Sequence, residues 1–263
     1  MDERSWGQRQ TDGSRPNSVD AQDWPEPIYV ATTGSTNADV LALARQGACE
    51  GTMVVADEQT AGRGRLNRSW DSAAAAGLWC SVLARPEQRL GLIPLVTAIA
   101  AARALQSRGV ECMVKWPNDL VVDRKAHDGS PGPRKIGGIL TEVDGDAVVI
   151  GIGINLTHAV ADLPVPRATS VLLEGAPPDR ELLVAALREE LRWGFAALAA
   201  GRDVVAAYRV ECLTVGREVI VDLPDGTVVS GTAARVLDDG RLEIDSSGDL
   251  HVIAAGDVIH ATI

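Results

Sequence analysis

Two arginines alternate with two glycines in one stretch of this chain and a third arginine follows, a pattern suited to gripping an anion. The densest stretch is Asp57-Glu58-Gln59-Thr60-Ala61-Gly62-Arg63-Gly64-Arg65-Leu66-Asn67-Arg68-Ser69-Trp70, after a short apolar run from Thr52 to Ala56. Glycines at 62 and 64 let the backbone take up positive φ and bring its N–H groups close to a ligand. Guanidinium forks at Arg63 and Arg65 match phosphate or carboxylate bidentately. A loop this polar is expected to be mobile when empty and to order around an anion, although a solvated basic loop would share its composition. Its setting in an acidic chain favours the anion-binding reading.

Two further places carry chemistry. Lys115-Trp116-Pro117-Asn118-Asp119 closes an apolar run from Val110. Pro117 holds Trp116 extended, which leaves Lys115, Asn118 and Asp119 at a strand end, where ligand sites in α/β sheets lie. Lys135-Ile136-Gly137-Gly138-Ile139-Leu140 begins another strand. There a lysine beside a glycine pair can lay its ammonium along the polar end of a ligand while the backbone approaches closely. In Gly151-Ile152-Gly153-Ile154-Asn155, a third glycine is missing and the pattern lies within a strand, so it is not a dinucleotide fingerprint. It suits a strand face laid against a ligand, and a hydrogen-bonded core Asn155 fits the same spacing.

The elements that must position these groups follow from periodicity and punctuation. Ile28-Tyr29-Val30 is a short strand, and Ser35 or Thr36 caps a helix running to about Gly47. Those hydroxyls, just after a strand, also suit a pocket. Gly77 to Ala84 reads as a buried strand, Leu90 to Arg108 as a long helix stopped by Gly109, and Val110 to Lys115 as a strand resumed at Leu120 to Val122. Arg124 to Arg134 is a loop; strands then cover Lys135 to Val143 and Ala147 to Leu156. Asp179 caps a helix to Ala200, and Arg202 to Cys212 forms a shorter one. From Val215 onward short strands alternate with Asp-Gly and Ser-Gly turns over about fifty residues, as in a small β-barrel. The expected organisation is a disordered tail over 1–26, a catalytic domain over 27–212 and a barrel over 213–263.

Composition narrows the function classes. Of 263 residues 46% are apolar, ample for a packed core, while the net charge of −11 does not suit duplex nucleic acid as a general partner. Cys49, Cys80, Cys112 and Cys212 form no C-x-x-C pair, which argues against a zinc site or a disulfide framework and fits a reducing cytoplasm. No apolar signal-peptide core opens the chain. The longest apolar segment, Gly91 to Leu105, is short and Ala-rich, so a buried helix rather than a membrane span is expected.

Taken together, Ser35-Thr36-Asn37, Gln59-Thr60-Ala61-Gly62-Arg63-Gly64-Arg65, Lys115-Trp116-Pro117-Asn118-Asp119, Lys135-Ile136-Gly137-Gly138-Ile139-Leu140 and Gly151-Ile152-Gly153-Ile154-Asn155 stand in an order that closely resembles the biotin protein ligases. The resemblance runs from about residue 28 to the end. It implies an α+β fold: a mixed sheet with helices packed on one side, related to class II aminoacyl-tRNA synthetase cores, plus a small C-terminal SH3-like β-barrel. It also implies the reaction. Biotin and ATP form biotinyl-AMP with release of pyrophosphate, and biotin then passes to one lysine of a biotin carboxyl carrier domain of acetyl- or propionyl-CoA carboxylase.

By that resemblance Ser35, Thr36, Asn37, Gln59, Arg63, Lys135 and Gly138 contact biotin. Gly62, Arg63, Gly64, Arg65, Trp70, Lys115, Asn118 and Asn155 line the ATP side. Lys135, Arg63 and Asp119 are the expected catalytic residues, Asp119 either holding Mg²⁺ or helping to deprotonate the acceptor lysine; no dedicated metal site is expected. Two departures from the family pattern stand out: Asn67 replaces a usual glycine, and the connection from Asp119 to Lys135 is longer than usual. Lys125 lies at the usual distance from Asp119, but Lys135 carries the Ile-Gly-Gly-Ile-Leu strand and is therefore the assigned lysine. Lipoate or octanoate ligases match these motifs less well. A DNA-binding repressor would need three helices before Ile28, and a pure biotin sensor would not need Arg63, Lys115, Asp119 and Lys135 together. A monomer or weak homodimer, with no nucleic-acid or membrane partner, is the resulting expectation.

Overall fold

The structure is a computed structural model that describes residues 24–260 except 66, 67, 71, 89, 164 and 255. The expectations for the tail before residue 24 and for Asn67 lie outside the described residues. Seven strands form the main sheet: β1 (Ile28–Thr33), β2 (Met53–Gln59), β3 (Gly77–Ala84), β4 (Cys112–Lys115), β5 (Asp119–Val122), β6 (Arg134–Asp144) and β7 (Ala147–Asn155). Their order is β1-β2-β3-β7-β6-β5-β4. β1 and β2 are parallel and the other neighbours antiparallel, so the sheet is mixed. The parallel pair needs a crossover, which α1 (Thr36–Arg45) supplies.

Alternation along the strands decides which helix covers which face. Met53 and Val55 on β2, with Leu78, Cys80 and Val82 on β3, face α2 (Ile93–Ser107), α3 (Arg180–Ala199) and α4 (Val204–Glu211). Val54 and Leu83 point the other way, where Val40 and Ala44 of α1 meet Ala147 and Val149. Three helices thus share one face as expected, while α1 covers the other, over β2, β3 and β7. Burying each large aliphatic side chain contributes roughly 1.5–3 kcal/mol.

The helix ends follow local chemistry. Asp179 accepts the Leu182 N–H at 3.0 Å, capping α3. Gly109, at φ +90°, takes the left-handed turn just beyond α2. Together with the 3₁₀ turn before it, α2 gives an 18-residue apolar segment, Leu90–Ser107, long enough to cross a membrane. It is 67% buried inside the protein, which makes it a core helix. Residues 24–26, counted above with the tail, are held against α3. Arg188 of α3 donates to the Trp24 and Pro25 carbonyls at 2.9 and 2.7 Å, and the Trp24 ring lies 5.8 Å from that of Phe195.

The second sheet comprises β8 (Glu218–Asp222), β9 (Val228–Val236), β10 (Leu242–Ser246), β11 (Asp249–Ile253) and β12 (Asp257–His260), antiparallel in the order β11-β10-β9-β8-β12. Trp116, 2% exposed, joins it to the main sheet: its indole donates to the Gly240 carbonyl at 3.0 Å and its backbone N–H to Thr214 Oγ1 at 3.0 Å. On β12, His260 Nε2 lies 3.3 Å from the same Thr214 hydroxyl. Burial, reinforced by the Lys115 and Arg217 cations and opposed by Asp123, pushes the His260 imidazole down to about 4 from an ordinary value of 6.5. Unfolding therefore takes up a proton below pH 6.5 that the folded chain refuses until about pH 4. Stability is fully present above that window and falls across it with acid. Melting curves recorded from pH 7 to pH 4 should show a falling Tm that is flattened in His260→Asn; parallel curves for both proteins would refute this origin.

Candidate active site

Asp119 and Gly138 are partners in the β5–β6 ladder, and a bulge between Leu120 and Val121 shifts the register so that Val121 faces Lys135. The extra residue, Ile136, enters the core beneath α2. Lys135 and Gly138 are thereby both turned toward one cleft, as bulges commonly re-aim side chains. Lys135 Nζ lies 2.5 Å from Asp119 Oδ1 and 5.3 Å from the centre of the Trp70 ring. Lys125 lies outside the cleft, its carbonyl accepting the Arg134 Nε–H at 2.5 Å.

The floor under Trp70 is a shelf without side chains. Gly138 and Gly153 face each other across β6 and β7. A Cβ on Gly153 would come within 2.8 Å of the Trp70 indole, and one on Gly138 within 3.3 Å. The indole meets Trp79 edge-on at 6.5 Å, while its own N–H is buried without a partner.

At the other end, the start of α1 is held by polar groups from β2 and β3. Ser35 occupies the N-cap position but its hydroxyl makes no capping bond. Gln59 does that work from across the sheet: its Oε1 accepts the Thr36 N–H at 2.9 Å and the Thr36 hydroxyl at 3.0 Å, while its amide donates to Ser72 Oγ at 2.9 Å. Ser81 Oγ lies 2.7 Å from Thr36 Oγ1 and 2.6 Å from Asn37 Oδ1. Asn37 Nδ2 donates to Glu142 Oε2 at 2.6 Å. Ser72, Ser81 and Glu142 escaped the sequence reading. A serine in a loop (Ser72) or in an apolar strand (Ser81) carries no periodic signal, and Glu142 reads as a solvated strand residue.

The glycine–arginine loop closes over this cleft. Trp70 N–H donates to the Gly62 carbonyl at 2.9 Å and Gly64 N–H to Arg68 O at 2.7 Å. Arg63 pairs with Glu142 at 3.0 Å, Arg65 donates to Asn118 Oδ1 at 3.0 Å and to the Gly256 carbonyl at 3.4 Å, and Arg68 pairs with Asp257. All three cations thus have protein partners. Glu142 is far from the loop in sequence, and Gly256 and Asp257 come from the second sheet. Lys115, across from Asp119 in the β4–β5 ladder, is held below its ordinary range by burial, with Asp119 opposing and Lys135 reinforcing. Asn155 lies on the lining, and its amide donates to the Thr169 carbonyl at 2.9 Å.

Ser35, Thr36, Asn37, Gln59, Arg63, Gly64, Arg65, Trp70, Lys115, Asn118, Asp119, Lys135, Gly138 and Asn155 all line one cleft of about 610 Å³. Gly62 stands just behind the lining. It packs so closely that a Cβ there would be 2.5 Å from the Trp70 carbonyl. Such a cleft places a hydroxyl- and amide-rich end next to an arginine- and lysine-lined end. It can take a ligand whose neutral polar head is hydrogen-bonded and whose carboxylate meets a phosphate.

Residues 29–155 match the biotin/lipoate A/B protein ligase family. The biotin–[acetyl-CoA-carboxylase] ligase of Mycobacterium tuberculosis is 40% identical over 252 residues, 90% of either chain. The bifunctional ligase/repressor BirA of Bacillus subtilis is 39% identical over 146 residues, covering 52% of this chain and 42% of BirA. The fold is shared with a biotin protein ligase from Aquifex aeolicus solved with biotin and ATP, at a TM-score of 0.77 and 24% identity over 90% of this chain and 100% of that one. Motifs, sheet order and a relative matched over nine-tenths of its length agree: this chain belongs to the biotin protein ligase family.

Proposed function

We propose that the chain is an ATP-dependent biotin protein ligase acting in two steps. A biotin carboxylate oxygen attacks the α-phosphorus of ATP, the bond to the β-phosphate oxygen breaks, and biotinyl-5′-AMP and pyrophosphate form. The ε-amine of an acceptor lysine, having lost a proton, then attacks the biotinyl carbonyl. An amide forms and AMP leaves. The carrying observation is the Lys135 ammonium, set over Trp70 and beside Asp119 on the glycine shelf.

The first step brings two anions together, so cations must offset their repulsion and the charge developing on the phosphate. Lys135 would bridge the biotin carboxylate and α-phosphate. Arg63 and Arg65 would exchange Glu142 and Asn118 for phosphate oxygens. The Ser35–Asn37 and Gln59 end would hold the biotin head, and Trp70, Lys115, Asn118 and Asn155 the nucleotide. Fixing both reactants in line can remove roughly 7–11 kcal/mol of barrier.

Mg²⁺ is a hard cation that takes carboxylate and phosphate oxygens. Among the described residues no group of three or more His, Cys, Asp or Glu gathers to hold a metal, so the ion would come with the ATP phosphates and further neutralise them; Asp119, paired with Lys135, would either lend it a carboxylate oxygen or help to deprotonate the acceptor lysine. We place the catalytic domain at 27–212 and the barrel at 213–263. The acceptor is a biotin carboxyl carrier domain of an acyl-CoA carboxylase. The four free cysteines suit the cytoplasm.

Mass spectrometry of a carrier domain incubated with this chain, biotin and ATP tests the reading. One biotin on a single lysine, dependent on ATP, is expected; no adduct, or an adduct only with lipoate, would reject it.

A further inference from the structure

The long connection between β5 and β6 begins near Arg124 and ends at Arg134, the residue before Lys135. Both arginines turn to one carboxylate. Glu174, in the connection between β7 and α3, has a side chain only 2% exposed. It lies 3.2 Å from Arg134 Nη1 and 3.5 Å from Arg124 Nη1, and it accepts the Thr169 hydroxyl at 2.6 Å. Glu174 is not part of the cleft lining.

Its contacts nevertheless surround Lys135. The Lys135 N–H donates to the Arg167 carbonyl at 2.6 Å, and the Lys135 carbonyl accepts the Thr169 N–H at 2.8 Å. The Thr169 carbonyl in turn accepts the Asn155 amide. Both backbone groups of Lys135 are thus tied to the 167–169 segment, and Glu174 holds that segment through Thr169 and the strand start through Arg134. A buried carboxylate–guanidinium cluster need not add net stability over apolar packing. What it does fix is geometry: Arg134 and the Thr169 hydroxyl meet on Glu174 Oε1, while Oε2, buried without a hydrogen bond, faces only the Arg124 guanidinium at 3.5 Å.

We infer that Glu174 is a positioning residue for Lys135, stapling both ends of the long 124–134 connection so that the ammonium stays over Trp70 beside Asp119. This rests on the ligase reading above. It adds a residue that never touches the reactants and gives the long connection a role.

Biotin-dependent pyrophosphate release by the full chain tests it. Glu174→Gln keeps an acceptor for Thr169 and removes the charge that holds the arginines. It should lower kcat about tenfold with the KM for ATP within about twofold, because small misplacements of a catalytic group act on the transition state. In a Lys135→Ala background the same substitution should change the residual rate by less than about twofold, since its route to the chemistry is gone. An unchanged kcat for Glu174→Gln, or an equal tenfold loss in both backgrounds, would overturn the assignment. Should Glu174→Gln lose its cooperative melt, Arg134→Lys, which keeps the charge but not the fork, should still lower kcat several-fold; a normal kcat there overturns the assignment as well. No biotin-dependent release from the unaltered chain removes the ligase reading itself, whereas normal release by both the unaltered chain and Glu174→Gln removes only the role of Glu174.

Discussion

Lys135→Ala will reduce biotin-dependent pyrophosphate release by about 10²–10³-fold, the usual loss when one preorganised charge-stabilising group is removed from an active site. Stability will hardly move. The Lys135 and Asp119 side chains are 34% and 22% exposed, and a partly solvated ion pair of this kind contributes roughly 0–1 kcal/mol. Asp119 also keeps Lys115 as its cross-strand neighbour, so the carboxylate is not left without a cation nearby. The opposite pattern, a large fall in Tm with a modest fall in kcat, would make Lys135 structural. Lys125→Ala serves as the comparison. It should keep its release rate within about twofold, a surface substitution away from the site being energetically quiet. The same loss at Lys125 would move the catalytic role to the wrong lysine.

Local chemistry made the elements legible, and distance in the chain hid their partners. Gly77 to Ala84 is apolar except for Ser81, and it is strand over that whole length because both faces are covered. Asp179 after two prolines is a cap that its own hydrogen bond confirms. Lys135 was separable from Lys125 because only Lys135 precedes a glycine pair, of which Gly138 forms, with Gly153, the shelf beneath Trp70. What stayed hidden are contacts set by sheet order. β6 lies next to β7 and β7 next to β3, so Glu142, Gly151 and Ser81 converge on Asn37 although no periodicity links them. The same holds for Arg68 and Asp257, joined only once the second sheet is placed. Helix α1 looked like any amphipathic helix; the parallel β1–β2 pair is what puts it on the face opposite α2.

Gly153→Ala will open the glycine–arginine loop while leaving the fold standing. Gly153 lies in a central strand, paired on one side with Trp79 and on the other with Gly138, so its backbone cannot retreat. The added methyl would stand 2.8 Å from the Trp70 indole, too close for either group to tolerate. Trp70 must yield, and it closes the loop through its N–H to the Gly62 carbonyl. Moving the ring also removes the π face beneath Lys135 and loosens Arg63, Arg65 and Arg68 together. Tryptic cleavage at these arginines should therefore speed up, and biotin plus ATP should protect the variant far less than the unaltered chain. Catalysis should fall by about 10²-fold, the scale expected when reacting groups are displaced by about 1 Å. Gly151→Ala isolates the cause. Its methyl would come 2.3 Å from Asn37 Oδ1 at the other end of the cleft, so it should weaken biotin binding without changing the cleavage rate of the unliganded loop. Equal cleavage of Gly153→Ala and the unaltered chain would mean that the shelf does not seat Trp70, and that the loop is held by its arginine pairs alone.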